Sequence, residues 1–204
     1  IYYIFAKKFK IIDYPNERSS HTNKPVRGGG IIIPLAIIIW YLINNQIYDY
    51  LMIGLFLIAI VSLLDDIYEL NQYPKLIIQI ISIYLMFIDL NMFYLPIINI
   101  IISLFIILAW INCYNFMDGI NGITVIYSSV IIMTFILIPE LTTYTQLFIL
   151  LLIAITIFGI FNVRFKALIF FGDVGSISLG YIFAFIMILL MSESKSWEYI
   201  LIFL

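Results

Sequence analysis

Long runs of apolar residues alternate with short polar stretches along this chain. A membrane-spanning helix needs about 20 predominantly apolar residues. The runs predict spans at residues 29–46, 50–64, 76–95, 97–113, 122–138, 146–162 and 176–191, with partial spans at both ends. Runs such as IIIPLAIIIW do not alternate with period two, which excludes a membrane β-barrel. We therefore predict an all-α polytopic membrane protein, a single transmembrane domain over residues 1–204.

Composition agrees with the membrane class. Of the 204 residues, 64% are hydrophobic and only 11% are charged, whereas a soluble domain carries about 25% charged residues. The net charge of −2 excludes a large basic surface for nucleic acid. The first and last apolar stretches, IYYIFA and YILIFL, are too short to cross a bilayer. We therefore expect either a piece of a larger protein or a truncated copy.

Four polar clusters interrupt the apolar pattern, at residues 18–30, 64–66, 112–122 and 172–176. If the spans cross the membrane in turn, all four clusters fall on the same side. Nine of the ten Lys and Arg residues share that side: Lys7, Lys8, Lys10, Arg18, Lys24, Arg27, Lys75, Arg164 and Lys166. By the positive-inside rule this side is cytoplasmic. Because acids, amides and glycines are costly beside a bilayer, their convergence predicts an active site.

The second cluster contains two adjacent carboxylates, Asp65 and Asp66. Hard divalent cations such as Mg²⁺ prefer oxygen ligands and often bind through one or two carboxylates plus substrate phosphates. Adjacent helical residues point about 100° apart, so both aspartates need not serve one ion. One could hold the metal while the other handles a proton or orients a phosphate. A solvated helix end is the alternative.

The third cluster places Asn112, Asn115 and Asp118 three residues apart, which predicts one polar stripe on a helix. Amide groups can contact phosphate or uracil-type groups and can ligate a metal through oxygen. The alternative is an interhelical hydrogen-bonding stripe. The glycines that follow, Gly119 and Gly122, favour a functional site because they permit close backbone approach.

The fourth cluster, GDVGS, directly precedes an apolar span. Asp173 could cap the helix, or it could hold a metal beside free backbone N–H groups that suit a phosphate. In the first cluster, His21 and Arg27 are explained either by catalysis or binding, or by ordinary solvation and positive-inside charge. Lys75 could reach a phosphate or simply extend to the interface.

These motifs occur in a specific order: R-S-x-H-x-x-x-P-x-R-G-G-G, D-D, N-x-x-N-F-x-D-G-x-N-G and G-D-x-G-S-x-x-L-G. The chain thereby resembles the polyprenyl-phosphate N-acetylhexosamine-1-phosphate transferases, also called glycosyltransferase family 4, over residues 13–180. The resemblance implies transfer of a sugar-1-phosphate from a UDP-HexNAc to undecaprenyl phosphate in the bacterial inner membrane, with release of UMP and dependence on Mg²⁺. Membrane lipid is the other expected partner, and a homodimer is left open.

The resemblance also implies roles for individual residues. It implies catalytic roles for Asp65, Asp66 and Asp118, and metal binding by Asn115 and Asp173. Substrate binding falls to Lys75, Asn112, His21, Arg27, Gly175 and Ser176. The first-loop pattern resembles enzymes that initiate O-antigen and common-antigen synthesis, which favours UDP-GlcNAc or a modified form over a muramoyl-pentapeptide donor.

The chain departs from the family pattern in two ways. It lacks a full first span, and it ends before the late His- and Arg-rich loop that the family carries; His21 is its one histidine. Two further hypotheses therefore stay open. One is an inactive family member that binds UDP-sugar or lipid phosphate without turnover. The other is a transporter or structural bundle, since transporters also use polar residues that face the bundle interior. Separation of Asp65, Asp66, Asn115 and Asp173 by more than about 15 Å would favour it.

Overall fold

The computed structural model describes residues 2–8, 11–12, 25–44 and 47–194. This part of the chain is helical and contains no β-strand, only two isolated β-bridges. The helices are α1 (Tyr2–Lys8), α2 (Ile32–Ile43), α3 (Asp49–Tyr68), α4 (Gln72–Asp89), α5 (Ile97–Met117), α6 (Ile123–Leu137), α7 (Thr145–Asn162) and α8 (Asp173–Ser194). The prediction of an all-α protein is confirmed for these residues.

Helices α2 to α8 correspond one to one with the seven predicted spans. Within the residues that the structure describes, four segments are long and apolar enough to cross a membrane: α3, α5, α7 with the 3₁₀ turn before it, and α8. Helices α2 and α6 are apolar but shorter. The structure thus supports a multi-pass membrane protein, while the count of seven spans stays a prediction.

Several predicted boundaries differ from the helix ends by a few residues, as where α4 ends at Asp89 and α5 continues to Met117, and two of the differences concern acidic residues. The apolar run stops at Leu64, but α3 continues through Asp65 and Asp66 and ends only where Glu69 adopts a left-handed conformation. At the other motif, α8 begins at Asp173 rather than at residue 176. Hydropathy marks where apolar side chains stop, whereas backbone hydrogen bonds and end capping decide where a helix stops.

Helix α8 forms the centre of the bundle. Of the residues in its apolar part, 94% are buried, compared with 17% in α5. It packs against α2, α3 and α5, and it is apolar on all sides, as expected of a buried helix. Its Tyr181 is fully buried and donates a hydrogen bond to the Ser82 carbonyl oxygen at 2.9 Å.

The segment just before α2 runs beside the segment just before α8. Val26 forms a parallel bridge with Ile169, and the N–H of Gly30 donates to the Phe171 carbonyl at 2.8 Å. Further along, a Cβ placed on Gly30 would lie 2.3 Å from the Cα of Gly175. Any larger side chain there would collide with backbone. The glycines of the first and fourth clusters therefore allow two chain segments to touch.

Candidate active site

Residues from all four polar clusters meet at one end of the bundle. The first and fourth meet where Gly30 contacts Gly175, and the second and third each contact the fourth through Asp173. We call this region the motif end. The predicted convergence is confirmed, while the side of the membrane that this end faces stays a prediction. Because the polar groups touch one another, their spacing does not favour the transporter hypothesis.

A lysine and two carboxylates form the charged centre of the motif end. The ammonium of Lys75, near the start of α4, lies 2.7 Å from Asp65 Oδ2 and 3.5 Å from Asp173 Oδ2. The two carboxyl groups also contact each other. Asp65 is held in addition by the backbone N–H of Leu70 at 2.7 Å. Two carboxylates this close repel unless a cation lies between them, and here Lys75 supplies that positive charge.

The protonation of Lys75 follows from these contacts. Burial by itself lowers the pKa of the ammonium, because desolvation disfavours the charged form. The hydrogen bond and charge of Asp65, together with the charge of Asp173, outweigh this effect, and the pKa of Lys75 is raised overall. Lys75 is therefore a fixed positive charge at neutral pH. Its side chain is 23% exposed, so it remains open to a ligand.

Asn115 links α5 to the start of α8. Its amide nitrogen Nδ2 donates to Asp173 Oδ1 at 2.9 Å and to Ser176 Oγ at 2.8 Å. Both described hydrogen bonds use the nitrogen, so they fix the orientation of the amide and leave its oxygen Oδ1 out of these contacts. An oxygen placed beside a carboxylate is a suitable donor for a hard cation.

An open cavity of about 460 Å³ lies against these groups, within the range of small-molecule sites. Polar amides, an ammonium and a carboxylate line one part of it, and apolar and aromatic side chains line the rest. The lining residues are Asn71, Gln72, Tyr73, Lys75, Leu76, Gln79, Asn112, Asn115, Phe116, Asp173 and Ile177. Four of the residues singled out from the sequence thus face one cavity: Lys75, Asn112, Asn115 and Asp173.

Gln79 is a lining residue that the sequence analysis missed. Only 4% of it is exposed, and its Oε1 accepts a hydrogen bond from Asn112 Nδ2 at 2.9 Å. The available signal was its spacing: Gln79 follows Lys75 by four residues, which places both on one face of α4. A lone Gln inside the run KLIIQIIS was the clue.

Asp66, predicted to be catalytic, makes contacts unlike those of its neighbour. Its Oδ1 accepts the backbone N–H of Asp173 at 3.0 Å, and its Oδ2 accepts that of Val174 at 3.2 Å. It is 8% exposed and is not among the lining residues of the cavity. A carboxylate in this position caps the start of α8 and complements the helix dipole.

Asp118, also predicted to be catalytic, holds the same turn from the other side. Its carboxylate accepts hydrogen bonds from the Thr124 hydroxyl and from the backbone N–H of Gly172. Desolvation raises the pKa of Asp118 to about 7, and the nearby negative charge of Asp173 adds to the shift. Asp118 is not among the cavity-lining residues either.

The expectation that free N–H groups at the start of α8 await a phosphate is wrong. The first three N–H groups of GDVGS donate to Asp118 and Asp66, and the last two donate to the Gly172 carbonyl at 3.1 Å. The chain's own acceptors therefore occupy this helix start. A substrate contact through other atoms of Gly175 or Ser176 stays a prediction; both residues are buried.

The remaining predicted site residues belong to the first cluster. Arg27 forms an ion pair with Glu69 at 3.6 Å and is not among the residues that line the cavity. Its predicted role in substrate binding stays a prediction. His21 lies outside the described residues.

The donor set fits a hard cation bound jointly with a ligand. In the part of the chain that the structure describes, no three His, Cys, Asp or Glu side chains converge on one point. Two carboxylates, Asp65 and Asp173, do contact each other, with the amide of Asn115 alongside. Mg²⁺ commonly uses one or two protein carboxylates and completes its shell with water and phosphate oxygens. The residues present therefore fit Mg²⁺.

Comparison with known proteins assigns the class. The chain belongs to glycosyl transferase family 4, whose sequence model matches residues 48–191. That range covers α3 to α7 and nearly all of α8, including the charged centre and the residues that line the cavity. The three clusters that contribute these residues thus lie inside the matched region.

A more specific likeness is to a protein of Bacillus subtilis (strain 168), described as a probable undecaprenyl-phosphate N-acetylglucosaminyl 1-phosphate transferase. It is 29% identical over 195 residues, and the match covers 86% of this chain and 54% of the relative. The chain thus spans about half the length of that curated relative.

Proposed function

We propose that this chain carries the active site of a polyprenyl-phosphate sugar-1-phosphate transferase. In the proposed reaction, a phosphate oxygen of undecaprenyl phosphate attacks the β-phosphorus of a UDP-N-acetylhexosamine. A P–O bond to the lipid phosphate forms, and the bond from that phosphorus to UMP breaks, so UMP leaves with the electron pair. UDP-GlcNAc or a modified form is the proposed donor, in line with the name of the Bacillus subtilis relative.

One observation carries this proposal: Lys75 lies between Asp65 and Asp173 beside an open cavity. Phosphoryl transfer needs little covalent work from protein groups and depends on positioning and charge neutralisation. Lys75 supplies a fixed positive charge for phosphate oxygens. Asn112 and Gln79, hydrogen-bonded to each other in the same cavity, supply amide groups that can orient the nucleotide or the sugar.

Asp173, Asp65 and the Oδ1 atom of Asn115 are the proposed ligands for Mg²⁺. When bound, the ion would supply neutralisation of the diphosphate charge. Asp65 also holds the Lys75 ammonium through its Oδ2 atom, which keeps the lysine directed toward the cavity. We further propose that the motif end faces the cytoplasm of a bacterial cell and that the product initiates a cell-surface glycan; the Lys and Arg distribution supports the orientation.

The test is release of UMP from UDP-GlcNAc by membranes containing the protein, with undecaprenyl phosphate and Mg²⁺ added. Asp173→Asn should lower the rate at least about a hundredfold, because Asp173 is a proposed Mg²⁺ ligand and a neutral amide binds a hard cation less strongly than a carboxylate. The matched control is Asp49→Asn, which changes an exposed aspartate in the first turn of α3 that pairs with Tyr41. The proposal fails if no UDP-N-acetylhexosamine gives UMP release.

Binding without turnover is the second candidate, because the chain spans about half the length of its relative. Titration with UDP-GlcNAc and Mg²⁺ would separate the two. Saturable binding that Asp173→Asn weakens, without release of UMP, would favour a binding role.

A further inference from the structure

We propose that Asp66 and Asp118 are positioning residues, which hold the turn before α8 and so fix where the Asp173 carboxylate points. This inference rests on the proposed function only in naming Asp173 as a Mg²⁺ ligand of the active site. The two aspartates reach the turn from different elements, since Asp66 lies near the end of α3 and Asp118 directly follows α5.

Asp66 and Asp118 each accept hydrogen bonds from different backbone N–H groups of the turn. Asp118 accepts the N–H of Gly172, and Asp66 accepts the next two N–H groups, one on each of its oxygens. Each carboxyl oxygen that accepts a backbone N–H here satisfies a donor that would otherwise lack a partner. Because both oxygens of Asp66 are used inside the protein, neither is placed to take a proton from a substrate in the cavity.

The backbone of the turn is shaped around Asp66. Gly172 has a positive φ of 77°, and a Cβ there would lie 2.5 Å from Asp66 Oδ2. Only glycine permits both this conformation and this close approach. The next residue along is Asp173, whose side chain is then directed to Asn115 and Lys75.

The adjacent aspartates therefore have different roles despite identical chemistry. Asp65 contacts Lys75 and the Asp173 carboxyl group, whereas Asp66 contacts the Asp173 backbone. They point in different directions because neighbouring residues on a helix are about 100° apart. This geometry makes Asp65→Asn a matched control for Asp66→Asn, with the same charge change one residue away.

Hydrogen exchange of the purified chain in lipid nanodiscs tests the inference without any activity assay. Asp66→Asn should speed exchange of the amides at residues 172–176 by about tenfold or more, because the amide keeps one acceptor oxygen for two backbone donors and a buried donor left without a partner costs about 1–3 kcal/mol. Asp65→Asn should leave these amides at the wild-type rate and speed exchange at Leu70, whose N–H Asp65 accepts. Wild-type exchange at 172–176 in Asp66→Asn would overturn the proposal.

A second arm separates positioning from proton transfer. In the UMP-release assay, Asp66→Asn should raise the Mg²⁺ concentration needed for half-maximal rate and keep the wild-type pH profile. A reduced kcat with an unchanged Mg²⁺ requirement and an altered pH profile would instead make Asp66 a catalytic residue. If the wild type releases no UMP, the proposed function fails, and hydrogen exchange still decides the role of Asp66.

A milder substitution covers the case in which the aspartate variants fail to fold. Thr124→Val removes the hydroxyl that donates to Asp118 but leaves both carboxylates in place. It should speed exchange at Gly172 by a few-fold, and Thr124→Ser should restore the wild-type rate. Unchanged exchange in Thr124→Val would count against the role of Asp118.

Discussion

At both ends of the helix bundle, an aspartate of one helix caps the start of another helix, but the surrounding side chains differ. At the motif end, Asp66 near the end of α3 accepts the first backbone N–H groups of α8. At the opposite end, Asp89, the last residue of α4, accepts the N–H groups of Tyr50 and Leu51 at the start of α3, the latter at 2.6 Å. In each case a carboxylate on one helix caps another helix.

The two capping aspartates differ in the side chains that surround them. Polar side chains at the opposite end form side-chain pairs: Tyr41 with Asp49, Asn44 with Gln146, and Tyr48 with Tyr144. At the motif end, one lysine contacts two carboxylates beside an open cavity. An acidic residue at a helix end is therefore weak evidence for catalysis. A lysine in contact with two carboxylates beside an open cavity is stronger evidence.

The sharpest test of this contrast concerns Lys75. Lys75→Met should lower UMP release about a hundredfold, because it removes a charge that would act on the transferring phosphate and leaves two carboxylates facing each other. The matched control is Lys166→Met, the same substitution at an exposed lysine that is not among the cavity-lining residues. Equal rates for the two variants would show that Lys75 does not contribute to catalysis.

The next largest effect is expected where backbone touches backbone at the motif end. Gly30→Ala should lower the free energy of unfolding by about 3 kcal/mol, since its Cβ would overlap the backbone of Gly175. Gly119→Ala is the control, because the nearest atom to its Cβ would be 4.0 Å away. Thermal unfolding in detergent measures both, and similar melting temperatures for the two variants would contradict the described contact.

The two capping aspartates provide the direct comparison of the ends. Asp66→Asn and Asp89→Asn should each lower the free energy of unfolding by about 1–2 kcal/mol, because the amide keeps one acceptor oxygen for two backbone N–H donors. Only Asp66→Asn should also lower UMP release, because only Asp66 supports the turn that carries Asp173. An equal loss of activity in both variants would mean that stability alone explains the effect.

The smallest effect is expected at a surface pair of the opposite end. Tyr41→Phe removes an exposed hydrogen bond from the tyrosine hydroxyl to Asp49. Because water can replace this exposed bond, we expect an almost unchanged melting temperature and no change in UMP release. A large loss of activity would show that the opposite end also takes part in function.

Much of the helix arrangement could be predicted from the sequence, because the apolar runs are long and separate. If successive predicted spans cross the membrane in opposite directions, the four polar clusters fall on one side. In the structure, residues from all four clusters do meet. The ends of α3 and α8 could not be predicted in this way. Their acidic residues are unfavourable by hydropathy, yet they stay helical because backbone and capping bonds stabilise them.

The candidate site was predictable in its residue types but not in its division of roles. Sequence spacing brought Asn112, Asn115 and Asp118 to one stripe, but it could not show that Asp118 turns toward the backbone of Gly172. Gln79 was missed because a single amide in an apolar run carries little signal. Contacts between residues far apart in sequence decide such questions.

The burial of α8 has a consequence for how the protein is made. The ribosome delivers the chain from its N-terminus, so α2 to α7 are synthesised before the helix that fills the centre of the bundle. Until α8 is present, the faces of α2, α3 and α5 that contact it lack that packing partner. Asp66 and Asp118 also lack their backbone partners during that interval. The charged centre therefore cannot be complete before α8 has joined the bundle.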